Sequence, residues 1–269
     1  MTRAVATFRA LDARWTVEAS PWWVERIATV FAATQVSDDA NEPADLQFRI
    51  EGDGPATLTS AGHSLLRDVR VAAVLDRIVW EVNQLAWRAN PAAVLVHGGL
   101  VERAGRAVLV TGPSGVGKTT LVASLCLRGF GYLSDEIAAL GPSGPTAFAK
   151  PLSIRPGAQA RFGPFAPPAD LSELMTSAWY VPLASATANE VAVVVFVDHD
   201  DQRSTALRRV PRAEALVRLC DQTPNLAASG AVGFRRLAAM VRGAQSVDLV
   251  ANDLGLAADL VVDVLESPR

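Results

Sequence analysis

Residues 112–119 read Gly112-Pro113-Ser114-Gly115-Val116-Gly117-Lys118-Thr119, and they decide the fold of this chain. They match the pattern Gly-x-x-x-x-Gly-Lys-Ser/Thr, the P-loop or Walker A motif, at every fixed position. The apolar residues 108–110 precede this stretch and an apolar segment of helical type follows it. The pattern therefore predicts a strand, a loop and a helix in that order, within an α/β domain. We refer to residues 112–119 as the glycine-rich loop.

The glycine-rich loop has the composition of a phosphate-binding site. Its glycines allow successive backbone N–H groups to turn inward as an anion-binding nest, and the following helix adds its positive N-terminal end. Lys118 would bridge the β- and γ-phosphates, and the Thr119 hydroxyl would bind Mg²⁺, with Thr120 beside it in the same segment. The motif predicts a nucleoside triphosphate such as ATP, together with Mg²⁺, as the ligand.

Such a loop requires a nearby acid that holds the metal or receives a proton, and the sequence offers two candidates. Asp135 and Glu136 follow the short strand predicted at 131–134, and Asp198 ends the apolar run 193–197. An acid that ends a strand beside the loop is typical of either role. Spacing in the sequence alone does not decide whether Asp135-Glu136 or Asp198 is the acid that serves the loop.

Composition excludes several classes of protein. The 269 residues carry a net charge of −3 and a sequence pI near 5.7, with no Lys/Arg block, so we expect no nucleic-acid partner. Arg208, Arg209 and Arg212 form a small basic cluster, which is either a solvated face or a contact for an acidic partner. No apolar run approaches the ~20 residues that span a bilayer, and two cysteines make no disulfide framework. We expect a cytoplasmic location and no membrane partner.

The chain divides by pattern into three parts. Residues 1–68 predict a small α+β module, and residues 69–91 predict a connecting amphipathic helix that ends at Asn90-Pro91. Residues 92–269 predict the main α/β domain. A Gly/Pro-rich stretch at 141–168 is too long for a plain connector, and we regard its part at 156–168 as a candidate mobile substrate-binding loop.

Three further segments give the chain a family resemblance. They are Val96-His97-Gly98 before the loop, Leu133-Ser134-Asp135-Glu136 after it, and Lys150-Pro151-Leu152-Ser153-Ile154-Arg155-Pro156-Gly157. In this order around the loop they resemble the core of bacterial HPr kinase/phosphorylase and of shorter HPr-kinase-like serine kinases, some of which act in peptide tailoring. The resemblance covers about residues 80–265. It implies a P-loop kinase core of HPr-kinase-like type behind the small N-terminal module.

The resemblance also implies roles for individual residues. Asp135 matches the acid that takes the proton from the acceptor hydroxyl as general base, and His97 matches the histidine that lies beside that acid and tunes it. Glu136 stands near the metal, where the family often has a second Asp. Arg155 falls in the segment that faces the phosphates or the acceptor. Relatives in this family form oligomers, so the resemblance is compatible with a homo-oligomer of this chain.

Some positions depart from the pattern of the protein kinase proper. Thr119-Thr120 replaces its Ser-Glu pair, which keeps the metal-binding hydroxyl but weakens any argument for the reverse, phosphorolytic reaction. The glycine-rich second signature of the bifunctional enzyme is not found in clear form. The chain contains neither the Leu-Ser-Gly-Gly-Gln signature of transport ATPases nor the Asn-Lys-x-Asp motif of GTPases.

We therefore expect an ATP- and Mg²⁺-dependent kinase that phosphorylates a hydroxyl, most readily a serine of a peptide or small protein. Two other functions fit the same loop. One is a kinase for a small metabolite, and the other is a regulatory protein that binds ATP without transferring phosphate. The sequence leaves the acceptor, the preferred nucleotide base and the oligomeric state open.

Overall fold

The computed structural model describes residues 2–37, 42–200 and 202–267. The first elements are β1 (Ala4–Ala10), β2 (Ala13–Ala19), α1 (Pro21–Val30), β3 (Gln35–Val36), β4 (Leu46–Glu51), β5 (Ala56–Ser60), β6 (His63–Val69), α2 (Val71–Arg88), β7 (Val94–Arg103) and β8 (Arg106–Thr111). There follow α3 (Lys118–Leu127), β9 (Gly131–Ser134), β10 (Ile137–Gly141), β11 (Gly144–Thr146), β12 (Leu152–Ile154), α4 (Pro156–Gln159), β13 (Trp179–Val181) and β14 (Glu190–Asp198). The chain ends with β15 (Ala206–Arg209), α5 (Arg212–Asp221), α6 (Leu226–Gly243), β16 (Gln245–Val250) and α7 (Leu254–Glu266). The predicted mixed α/β class is confirmed.

The contacts divide the chain into two compact units, of which the first contains Met1–Asn90 and Ala149–Ala184. Its six-stranded sheet has the order β3-β1-β2-β4-β5-β6. Aromatic side chains fill the core on the sheet: Phe8 stacks on Trp15, and Phe31 and Phe48 meet the Trp15 ring edge-on. Sequence reasoning did not predict β1 and β2, which pair as a hairpin through a short turn with Leu11 at φ 57°.

The domain boundaries expected at residues 68/69 and 91/92 stay a prediction, while the contacts group the chain at Asn90/Pro91 and add Ala149–Ala184 to the first unit. Helix α2 packs on β1 and β5 and therefore belongs to the first unit. The segment Ala149–Ala184 joins the same unit, where the Tyr180 hydroxyl donates to Asp76 Oδ1 at 2.7 Å. The contact between Tyr180 and Asp76 joins residues 104 positions apart, so the local pattern gave no sign of it.

The second unit, Pro91–Phe148 with Ser185–Arg269, contains the glycine-rich loop. Its main sheet has the order β11-β10-β7-β8-β14-β16-β15, with β9 also paired to β7. Strands β8, β14 and β16 are parallel, and ligands of α/β sheets bind beyond the carboxyl ends of such strands. The glycine-rich loop leaves β8 at this edge.

Two helical layers support the second unit. Helix α3 packs with α7, and α5 packs with α6. Leu109 and Phe196 share a core with Leu219 of α5 and Leu237 of α6, while the alternate strand residues point to the other side. Within the described part of the chain, no helix is both long and apolar enough to cross a membrane.

Candidate phosphate-binding site

The backbone of the glycine-rich loop adopts conformations that only glycine takes readily. Gly112, Gly115 and Gly117 have φ of 145°, 87° and 97°. A Cβ on Gly112 would lie 2.6 Å from the Val197 carbonyl oxygen, whereas a Cβ on Gly115 or Gly117 would meet no heavy atom within 4 Å. The first glycine therefore allows close approach to β14, and the other two shape a loop that is open on the side of a ligand.

Lys118 begins α3 and is the cation of the loop. Only 7% of the residue is exposed, and its ammonium group donates to the carbonyl oxygens of Gly112 at 2.9 Å and Pro113 at 2.8 Å. Burial lowers the pKa of Lys118, and the Glu136 carboxylate opposes that shift. The lysine thus holds a desolvated positive charge against the loop, where an anion would stabilise it.

His97 and Glu136 form a second part of the same cluster. His97 Nδ1 lies 3.7 Å from Glu136 Oε1, and the Gly98 N–H donates to the Glu136 carbonyl at 3.1 Å. Burial and then the nearby Lys118 lower the pKa of His97, while the Glu136 carboxylate raises it. A Cβ on Gly98 would lie 2.5 Å from the Val110 carbonyl oxygen, so glycine after His97 lets β7 approach β8 here.

Asp135 differs from the adjacent Glu136 in its surroundings. Asp135 is 2% exposed and accepts a hydrogen bond from the buried Tyr132 hydroxyl at 2.8 Å, whereas 40% of the Glu136 side chain is exposed. Burial, and then the charge of Asp135, raise the pKa of Tyr132 well above its usual value. The same two causes raise the pKa of Cys126 to about 12. Sequence reasoning missed Tyr132 and Cys126 as neighbours of this acid, although Tyr132 is only three residues before it in the chain.

A cavity of about 370 Å³ adjoins the loop on the side of β14 and β16. Pro113 and Asp198 line it together with Arg203, Arg208, Arg218 and Asp248. Asp248 accepts from both Arg208 and Arg218, and the Arg218 guanidinium lies 4.0 Å from the Phe196 ring centroid. Asp198 is well exposed, with Arg203 at 3.9 Å. The second candidate acid therefore faces this cavity.

The fold brings most of the sequence-predicted residues together. Lys118, His97 and Glu136 meet in the second unit, Asp135 is next to Glu136 in the chain with its carboxylate bonded to Tyr132, and Thr119 and Thr120 lie half-buried in the first turn of α3. Arg155 precedes α4 in the first unit. No group of three His, Cys, Asp or Glu side chains among the described residues could hold a metal by itself.

The loop residues have the chemistry that a nucleoside triphosphate and Mg²⁺ need. The backbone N–H groups of such a glycine-rich loop and the Lys118 ammonium are donors that suit phosphate oxygens. The Thr119 hydroxyl and the Glu136 carboxylate are oxygen ligands of the kind that Mg²⁺ prefers when it is also bound to phosphates. Lys118 donates to its own loop carbonyls here, so those two hydrogen bonds would be exchanged for bonds to phosphate.

Comparisons with known proteins give one curated match of moderate similarity. No protein-family model matches the chain. HPr kinase/phosphorylase of Nitrosomonas europaea is 31% identical over 110 residues, which are 41% of this chain and 31% of that protein. The match therefore spans about a third of the length of the curated relative.

Among solved structures, the Hpr(Ser) kinase/phosphatase from Coxiella burnetii aligns with 62% of this chain and 93% of its own chain. The identity is 14% and the TM-score is 0.30. The curated match confirms that this chain resembles the HPr kinase/phosphorylase family.

Proposed function

We propose that this protein is an ATP- and Mg²⁺-dependent kinase that phosphorylates a hydroxyl group, with a serine of a peptide or small protein as the acceptor. The observation that carries the proposal is the buried Lys118 ammonium, held at the glycine-rich loop beside Glu136 and His97. The curated similarity to HPr kinase/phosphorylase supports the same class of reaction. A cytoplasmic location belongs to this proposal.

The proposed reaction uses the loop for alignment and charge. Lys118 and the loop N–H groups bind the phosphates and hold them in one orientation, which supplies most of the catalysis in phosphoryl transfer. Mg²⁺ bound by Thr119 and Glu136 would neutralise negative charge on the phosphates. The acceptor oxygen attacks the γ-phosphorus, the bond from that phosphorus to the β–γ bridging oxygen breaks, and ADP leaves.

Asp135 is the proposed general base that takes the hydroxyl proton. The Tyr132 hydroxyl fixes one of its oxygens at 2.8 Å, which orients the carboxylate. Because Asp135 is only 2% exposed, the acceptor must displace neighbouring atoms before its hydroxyl comes within hydrogen-bond distance. Arg155, from the Lys150–Gly157 segment of the resemblance, is proposed to assist the phosphates or the acceptor. The stretch 156–168, with its Pro and Gly residues, is proposed as the substrate-binding loop.

The test is transfer of label from γ-labelled ATP, with Mg²⁺, to peptides and small proteins encoded near the gene. Asp135→Asn should lower the transfer rate by about 10²- to 10⁴-fold, the usual contribution of a general base. Asp263→Asn is the matched control, because this exposed residue of α7 has no part in the cluster. The control should transfer label like the wild type.

Other outcomes of this assay assign the chemistry differently. Full loss in Glu136→Gln with activity kept in Asp135→Asn would move the base to Glu136. Label transfer to free metabolites and to no peptide would favour a small-metabolite kinase, for which the cavity of about 370 Å³ beside Pro113 is large enough. ATP binding without any transfer would leave a non-catalytic regulatory protein.

A further inference from the structure

A second cavity of the second unit, about 220 Å³ in volume, has a strongly basic lining. The end of β15, the start of α5, the end of α6 and the start of β16 meet there. Its lining contains Arg209, Arg212, Arg242, Gly243 and Ser246, and no carboxylate. We call it the arginine cavity.

The charges of the arginine cavity are not neutralised by the protein. In the part of the chain that the structure describes, Arg209, Arg212 and Arg242 take part in no ion pair and no side-chain hydrogen bond. The neighbouring Arg208 and Arg218 differ, because both bind Asp248. A small cavity lined by three arginines and by no acidic residue favours an anion over a cation or an apolar ligand.

Ser246 provides an independent indication of a ligand. Ser246 is 7% exposed and is one of the residues that line the arginine cavity, and its buried Oγ has no hydrogen-bond partner among the described residues. A buried hydroxyl without a partner destabilises a fold by about 1–3 kcal/mol, so native structures rarely keep one unless something else bonds to it. A ligand oxygen in the cavity would accept from this hydroxyl.

The start of α5 adds to the positive potential. Arg212 is the first residue of this ten-residue helix, whose first-turn N–H groups have no partner within the helix. Glu214 in the same turn carries negative charge, but its carboxylate pairs with Arg218 at 3.4 Å. The N–H groups at the start of α5 therefore add to the positive potential of the three arginines.

The arginine cavity is separate from the glycine-rich loop. Ser246 pairs with Val194 of β14, which pairs with Leu109 of β8, three residues before Gly112. Two strand spacings across the sheet and three residues along it correspond to roughly 14 Å. A single phosphate group does not span that distance.

We propose that the arginine cavity is a binding site for a phosphate group, either inorganic phosphate or the phosphoryl group of a small monoester. The guanidinium groups of Arg209, Arg212 and Arg242 bind its oxygens, and the Ser246 hydroxyl donates a further hydrogen bond. The inference rests on the cavity alone and stands whether or not the protein is a kinase.

The experiment is calorimetric titration of the full chain with inorganic phosphate and, separately, with methyl phosphate, at constant ionic strength. It is done in the Lys118→Ala background, so that phosphate binding at the glycine-rich loop does not contribute. Arg209→Gln combined with Arg242→Gln should weaken binding by about tenfold or more, because charge-assisted hydrogen bonds are lost. Arg235→Gln, an exposed arginine of α6 outside the cavity, removes one positive charge where the double variant removes two, and it should leave binding within about twofold of the background.

Ser246→Ala separates a ligand contact from a structural role. It should weaken phosphate binding several-fold and leave the Tm of the phosphate-free protein unchanged or higher, because no internal hydrogen bond is lost. The relative affinities for inorganic and methyl phosphate identify the source of the phosphate group. Equal binding in all variants, equal loss in Arg235→Gln, or no saturable binding in the Lys118→Ala background would each overturn the proposal.

Discussion

The glycine-rich loop and the arginine cavity both offer positive charge to an anion, but they do so by different means. The loop uses glycines with positive φ angles and one buried lysine, whose charge is already desolvated. The cavity uses three exposed arginines and one buried hydroxyl. A backbone nest with a buried cation binds one geometry with little loss of side-chain freedom, whereas exposed arginines must be ordered by the ligand. The two sites therefore differ both in the amount of positive charge and in how rigidly that charge is held before a ligand binds.

The largest expected difference concerns the solvation of the helices that begin at the two sites, and each helix carries one cysteine near its far end. Cys126 lies on α3, which follows the loop, and Cys220 lies on α5, which begins at the cavity. Burial and then Asp135 raise the pKa of Cys126 to about 12; burial and then Asp221 also raise that of Cys220, which is much less buried. Because only the thiolate reacts, iodoacetamide at about pH 8 should alkylate Cys126 roughly 10³-fold more slowly than a thiol of ordinary pKa.

Mass spectrometry of the alkylated peptides against time measures both rates in one sample. Cys220 should react first, and the rate at Cys126 should still rise tenfold per pH unit above about pH 9. A rate at Cys126 that levels off near neutral pH would show that the helix behind the loop is solvated, and the contrast between the two sites would fail.

A pair of glycine substitutions tests the backbone part of the comparison. Gly112→Ala places a Cβ 2.6 Å from the Val197 carbonyl oxygen at a φ of 145°, so the free energy of unfolding should fall by about 1–3 kcal/mol. Gly243→Ala, in the lining of the arginine cavity, meets no atom within 4 Å and ends a helix, so it should be neutral or stabilising by up to ~1 kcal/mol.

Urea unfolding of the two variants beside the wild type gives both values. A neutral Gly112→Ala, or a Gly243→Ala as damaging as it, would mean that backbone geometry does not distinguish the sites.

Salt dependence gives the smallest expected effect. Raising the salt from about 0.1 M to about 1 M shortens the Debye length from ~10 Å to ~3 Å, which screens exposed arginines more than a buried lysine. Phosphate binding at the arginine cavity should weaken several-fold over this range, and nucleotide binding at the loop should weaken less. Titrations of the Lys118→Ala variant with phosphate, and of the wild type with ATP and Mg²⁺, compare the two. A steeper loss at the loop would reverse the assignment of buried and exposed charge.

The loop could be predicted from the sequence because everything it needs is local. Eight consecutive residues specify its glycine conformations, its lysine and the helix that follows, and the strands around it have strong apolar patterns. The surroundings of Asp135 could be predicted only in part: the acid was identified, but its burial and its hydrogen bond from Tyr132 were not.

The arginine cavity could not be predicted, because four separate elements contribute to it. Arg209 and Arg212 were visible as part of a basic cluster, but Arg242 and Ser246 join them only through the β15–β16 pairing and the return of α6. The membership of Ala149–Ala184 in the first unit has the same origin in contacts between distant residues. Such contacts leave no periodic signal in the sequence.

The most direct test of the account is a titration with ATP and Mg²⁺ of the wild type, of Lys118→Ala and of the Arg209→Gln/Arg242→Gln double variant. The account predicts saturable one-to-one binding in the wild type, a loss of about 100-fold or more in Lys118→Ala, and an affinity within about twofold of wild type in the double variant. Unchanged binding in Lys118→Ala, with loss in the double variant, would contradict the central claim that the glycine-rich loop is the nucleotide site.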